Sequence, residues 1–186
     1  MQRFIFDRVH RTVLELSAQE VVQPAAILDI GCGTGRLLRA AELRFPGAKL
    51  VGVDAADEMV KQAEASRPAG SRIRFQQAIA EDLPFPAAHF ELVFSTLTFH
   101  HWHAQRQGIA EVARVLTPTG RWLLADFIPS GYVRYVRRML RLHQFLERRE
   151  LEANLADSRL AVVSERRVPG LGGQVRVLAV TIAEGA

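Results

Sequence analysis

The chain contains one cysteine, Cys32, so it can form no internal disulfide, and a lone thiol offers no metal-ligand spacing. No apolar run is long enough to cross a bilayer. The opening "MQRFIFDRVHRTVLEL" places Asp7 and Arg8 inside what would have to be the unbroken apolar core of a signal peptide. These absences predict a cytoplasmic protein in a reducing compartment. Internal repeats and low-complexity linkers are also missing. What remains is 186 residues, 48% hydrophobic and 24% charged, which is the composition of one globular domain with a sizeable core. The net charge of +4 is spread along the chain, apart from one concentration in "RYVRRMLRLHQFLERRE", and is a weak argument for a nucleic-acid partner.

Phe6, Val9, Val13 and Leu16 recur at helical spacing, and Pro24 breaks the pattern before the first strand. Apolar runs then alternate with helical stretches: "AAILDI", a helix from about Thr34, "AKLVGVD", a helix from about Asp57, "RIRFQQA", "FELVFST", a helix through "QGIAEVARVL", and "GRWLLADF". Alternation of this kind predicts βαβ units and a parallel sheet covered on both faces. The closing section reads differently. It holds a basic helix, a short helix in "RRELEANLAD", and two strands joined by a glycine-rich turn, which should lie antiparallel. The predicted fold is therefore an α/β, Rossmann-like three-layer sandwich with a mostly parallel seven-stranded sheet and an antiparallel C-terminal hairpin.

In an open parallel sheet, ligands bind beyond the carboxyl ends of the strands, and the first strand-to-helix turn is the usual place. Here that turn is "ILDIGCGTGRLL". Gly31, Gly33 and Gly35 lack a Cβ and let the chain turn tightly against a ligand. A dinucleotide fingerprint, G-x-G-x-x-G, would need glycine where Arg36 stands. Asp29, just before the loop, would repel a pyrophosphate but suits the ammonium end of an amino acid. Asp54 ends the second strand, where a carboxylate can accept hydrogen bonds from both ribose hydroxyls. An amino acid at one end, a nucleoside at the other and no phosphate between them describe S-adenosylmethionine.

With "LDIGCGTG", "VGVDAADEMV", "AEDLPFPAAHFELVFSTLTFHHW" and "RVLTPTGRWLLADF" in order between Ile27 and Phe127, the chain resembles the class I S-adenosylmethionine-dependent methyltransferases. The resemblance is to the small-molecule type, similar to the ubiquinone/menaquinone C-methyltransferases. It implies that Gly31, Gly33 and Gly35 contact the methionine part, Asp54 the ribose and Met59 the adenine face. Cys32, Ala55 and Ser95 come with them as lining positions. The family usually reads the adenine edge with an acid two residues before the Glu of "AEDLPF", together with the amide that follows. Here the acid is replaced by Ile79 and only the Ala80 amide remains, at a cost of about 1 kcal/mol. Ala56 replaces the usual serine helix cap, leaving Asp57 as the alternative cap. The implied division is a helical element over 1–24, a cofactor-binding core over 25–128, a substrate-side helical insertion over 129–158 and a strand pair over 159–186.

The transferred methyl is already activated, so the protein has to position the acceptor and exclude water, with a base only where the acceptor must lose a proton. His100 and His101 in "STLTFHHWH" follow the fourth strand at the same rim and are the candidate catalytic groups, either as a base or by orienting the acceptor. The competing reading is that they cap the next helix or line the pocket. A metal site at His100, His101 and His103 is disfavoured because adjacent residues rarely converge on one ion. "STLT" is not the Asn/Asp-Pro-Pro-aromatic motif of exocyclic amine methylation, and Cys32 lies in the glycine loop, so nucleic acid is a poor acceptor.

The expected acceptor is a small apolar or aromatic molecule, quinone-, lipid- or polyketide-like. Arg134, Arg137, Arg138 and Arg141 lie opposite Val133, Val136, Met139 and Leu140 on the basic helix. A solvated basic back explains this pattern; contact of the 134–149 stretch with an anionic membrane surface is the sharper alternative. Two rival functions stand beside the enzyme: a non-catalytic S-adenosylmethionine-binding module, and a nicotinamide-dependent oxidoreductase, which Arg36 and Asp29 disfavour.

Overall fold

The computed structural model describes residues 2–128, 145–168 and 175–183. Helix α1 (Gln2–Glu20) leads into strand β1 (Ala26–Ile30), and α2 (Arg36–Arg44), β2 (Lys49–Asp54), α3 (Asp57–Ala65) and β3 (Ile73–Gln77) follow. After β4 (Phe90–Thr96) come a 3-10 turn (Phe99–His101), α4 (Gln105–Val115) and β5 (Leu116–Phe127). Helix α5 (Arg148–Asp157) and strands β6 (Leu160–Arg167) and β7 (Val175–Ile182) complete the described chain. The seven strands form one sheet in the order β3-β2-β1-β4-β5-β7-β6, in which β7 alone is reversed. The predicted α/β architecture and the antiparallel closing pair are present. The turn between β6 and β7 and the basic helix of the 134–149 stretch fall outside the described residues for positions 169–174 and 129–144.

Period and burial agree along most of the chain. Val9, Val13 and Leu16 are fully or nearly fully buried on one stripe of α1 and pack with Leu37, Leu38 and Ala41 of α2 against one sheet face. The opposite face packs against Ile109 and Val112 of α4 and Leu151 and Leu155 of α5. All five residues of β1 are buried, as a strand covered on both faces requires. The helix in "RRELEANLAD" starts from a capping box, in which Glu147 and Glu150 bond reciprocally to each other's backbone.

Three boundaries differ from the sequence expectation. Helix α2 starts at Arg36 rather than Thr34, because Gly33 and Gly35 adopt φ +52° and +75°, outside helical geometry. Strand β5 begins at Leu116, with an irregularity in its pairing between Phe90 and Leu92. Asp57 does not cap α3: Ala56 is the cap residue, and Asp57 lies in the first turn, where it pairs with Lys61 at 2.6 Å. The Ala56 amide donates instead to Asp54 Oδ1 at 3.0 Å, so the carboxylate that ends β2 also secures the start of α3.

One aromatic cluster fixes the segment after β4. Phe99 lies edge-on to Trp102, ring centroids 5.0 Å apart, and Trp102 stacks on Trp122 of β5 at 6.0 Å. Burial of each such side chain contributes about 1.5–3 kcal/mol. The 3-10 turn is therefore anchored to the core on either side of His100.

Candidate active site

The carboxyl ends of β1, β2, β4 and β5 meet at one rim, as parallel pairing of neighbouring strands requires. The amides of Gly31 and Cys32 both donate to Val53 O, at 2.8 and 2.9 Å, which binds the glycine loop to the tip of β2. Gly33 N then donates to Asp54 Oδ2 at 2.8 Å. Gly31 and Gly35 are obligatory for two reasons. Both have positive φ, and a Cβ would stand 2.2 Å from Thr98 Oγ1 at Gly31 and 2.4 Å from Phe75 Cζ at Gly35. Above Gly33, by contrast, nothing lies within 4 Å of where a Cβ would be. The loop thus presents bare backbone to open space at its middle glycine.

Asp29 sits in the middle of the sheet at 1% exposure, and its Oδ1 has no hydrogen-bond partner. Burial, followed by the nearby charge of Asp54, raises its pKa well above the ordinary carboxylate range. Both causes favour the neutral form of the acid expected to hold an ammonium group. The linkage has a definite sign. A folded pKa above the unfolded one means that stability is lost as pH rises from the ordinary carboxyl range towards the folded value, by at most about 1.4 kcal/mol per pH unit. Asp29→Asn carries no such charge. Chemical unfolding at pH 4 to 8 should show the variant gaining on the parent as pH rises, and parallel curves would contradict a buried, protonation-dependent Asp29.

The remaining cofactor candidates divide into two groups. Asp54 and Met59 are half-buried, and Ala55 is exposed beside the crevice. The chain beyond β3 is tied to the same place, since Ala78 N donates to Asp54 O at 3.1 Å and Gln77 Nε2 to Ala55 O at 3.0 Å. This puts Ala80, which is buried, and Ile79, which is 46% exposed, next to the β2 tip. Cys32 and Ser95 turn inward. The Cys32 thiol packs in the core, and burial raises its pKa, which removes it from chemistry. Ser95 is fully buried and accepts a hydrogen bond from Trp122 Nε1 at 2.9 Å, so its hydroxyl faces the core and not the crevice.

The clearest addition at the rim is Asp126, at the end of β5. His100 Nδ1 lies 2.7 Å from Asp126 Oδ1, and His100 N donates to Asp126 Oδ2 at 3.2 Å. Asp126 is 3% exposed and also accepts from Phe127 N at 2.7 Å. The imidazole stacks on Phe145, centroids 4.7 Å apart, and has Phe127 edge-on at 6.2 Å. His101 is exposed and tilted against it at 4.0 Å; its own pKa is lowered by partial burial and by His100. Asp126 was not among the sequence candidates. The available signal was an ionisable residue closing the apolar strand "RWLLADF" at the rim shared with the glycine loop. Among the described residues no group of three His, Cys, Asp or Glu side chains is placed to hold a metal ion. Nor is any helix among them long and apolar enough to cross a membrane.

A Rossmann-like sheet with a glycine loop and an acid at adjacent strand tips defines a nucleoside-binding class of α/β protein. The comparisons with known proteins make this specific. Residues 27–120 match the family model described as a methyltransferase domain, and the chain belongs to that family. It is 35% identical over 123 residues to the demethylmenaquinone methyltransferase of Thermus thermophilus, an alignment that covers 66% of this chain and 55% of the relative. Identity is also 35% over 162 residues to the malonyl-[acyl-carrier protein] O-methyltransferase of Geobacter sulfurreducens, covering 80% of this chain and 60% of the relative. The chain therefore spans little more than half the length of these curated relatives. Among solved structures, the YcgJ protein of Bacillus subtilis superposes with a TM-score of 0.74 at 25% identity, over 95% of this chain and 100% of that one.

Proposed function

We propose that the chain binds S-adenosylmethionine across the tips of β1 and β2 and directs its methyl group onto a hydroxyl of a small apolar or aromatic acceptor. The fit of the cofactor rests on the open space above Gly33, the partnerless Oδ1 of Asp29 and the placement of Asp54. Gly31, Gly33 and Gly35 would face the methionine end with Asp29, Asp54 would take the ribose, and Met59, Ile79 and Ala80 would surround the adenine. When bound, the cofactor supplies a methyl group already activated on a positive sulfur. The observation that carries the choice of a hydroxyl acceptor is the His100–Asp126 contact at 2.7 Å. With Nδ1–H donating to the carboxylate, the lone pair stays on Nε2, and the imidazole is oriented to accept a proton. Phe127 and Phe145 beside it suit an apolar or ring-bearing molecule. The curated relatives, named for a menaquinone precursor and for a malonyl thioester, support small-molecule acceptors as the class.

The exposed Ile79, where the family resemblance implies an acid, favours a second reading in which the protein binds the cofactor without turnover. Calorimetric titration with S-adenosylmethionine, S-adenosylhomocysteine and NAD, followed by a screen of phenols and alcohols for methylated product, separates these readings. The first two ligands are expected to bind, NAD not, and a hydroxyl compound to be methylated. Binding of NAD, or of none of the three, overturns the proposal; binding without turnover on any acceptor leaves the second reading.

A further inference from the structure

We infer that Thr98 is the residue by which this chain distinguishes the charged methyl donor from its demethylated product, an inference that rests on the cofactor reading above. Thr98 lies directly on the glycine loop: a Cβ at Gly31 would sit 2.2 Å from its Oγ1, 2.7 Å from its Cβ and 2.8 Å from its Cγ2. Its side chain is therefore packed against the Cα of the first loop glycine, whose φ is +71°. The position is held firmly, because Thr98 O accepts from His101 N at 2.9 Å and so opens the 3-10 turn that the Phe99 and Trp102 rings anchor. Yet the hydroxyl, half-buried, has no hydrogen-bond partner among the described residues. It touches the loop that would carry the donor and lies two positions before His100 in the chain.

A hydroxyl oxygen against the first loop glycine would have its lone pairs within reach of the sulfur end of a donor held by that loop. Against a sulfonium, the oxygen meets a positive charge and polarised methyl C–H groups. Against the neutral thioether left after transfer, it meets neither. The same hydroxyl thus favours substrate over product, and its loss is read in the ratio of the two affinities.

Thr98→Val keeps the branched shape and the packing on Gly31 but removes the oxygen, and Thr98→Ser keeps the oxygen. Dissociation constants for S-adenosylmethionine and S-adenosylhomocysteine are measured calorimetrically on both variants and the parent, with unfolding midpoints to verify packing. Thr98→Val should weaken the sulfonium ligand about three- to tenfold while the thioether moves less than twofold, and Thr98→Ser should restore the parent ratio. Equal weakening of both ligands, or no change in either, overturns the assignment and leaves Thr98 a packing residue. If the parent binds neither ligand, the crevice reading itself fails and takes this one with it.

Discussion

Asp126→Asn should lower kcat for a hydroxyl acceptor by about 10²–10³ while the affinity for S-adenosylmethionine stays within about twofold. The physical reason is the tautomer. Asp126 can only accept, so it holds the proton on His100 Nδ1 and leaves Nε2 free. An asparagine can turn its amide NH2 towards Nδ1, which moves the ring proton to Nε2 and removes the base. In that rotamer the asparagine oxygen still accepts from His100 N, while Phe127 N, which donates to Oδ1 in the parent, loses its acceptor, so unfolding midpoints are measured alongside. His100→Ala should fall as far, and with a phenolic acceptor its rate should recover at alkaline pH, where the phenol ionises without help. Single-turnover kinetics across pH 6 to 10 would check both variants. If either one stays within a fewfold of the parent at neutral pH, the pair is structural and the acceptor needs no base.

The second large effect belongs to Asp54. Asp54→Ala should weaken S-adenosylmethionine binding by about 10²–10⁴, since two hydrogen bonds to a charged acceptor contribute roughly 1.5–3 kcal/mol each. More than ribose contacts is lost. In the protein alone the same carboxylate accepts from Gly33 N at 2.8 Å and Ala56 N at 3.0 Å, so it also shapes the glycine loop and the start of α3. Asp54→Asn keeps one acceptor oxygen and should fall between alanine and the parent. Calorimetry on the three proteins, with unfolding midpoints alongside, tests that order; undiminished affinity in the alanine variant would move the ribose elsewhere.

Much of this architecture is written in local pattern. The 3.6-residue period in α1, the alternation of apolar runs with helices, and the glycines at 31, 33 and 35 each report a preference that near neighbours satisfy, and each is found where the pattern put it. The proposed cofactor crevice is legible for the same reason, since its glycines and Asp54 stand at the ends of strands whose parallel order follows from that alternation. Differences of detail lie at element ends, where the backbone sets the boundary. The sequence offered Asp57 as a cap for α3, but the helix already includes Asp57 in its first turn, and Asp54 accepts from the amide of the cap residue Ala56.

The sequence by itself determined the fold class and the phosphate-free cofactor of the family, and marked the rim at which that cofactor is proposed to bind, because these depend on backbone freedom and residue type at fixed spacing. Only the tertiary structure decided what the individual side chains do. Ser95 turned to Trp122, His100 met an aspartate 26 residues away, Thr98 settled over Gly31, and burial, with Asp54 nearby, raised the pKa of Asp29. Each of those outcomes depends on which groups lie within a few ångströms and on how much water is excluded around them, and both are set when distant strands pair.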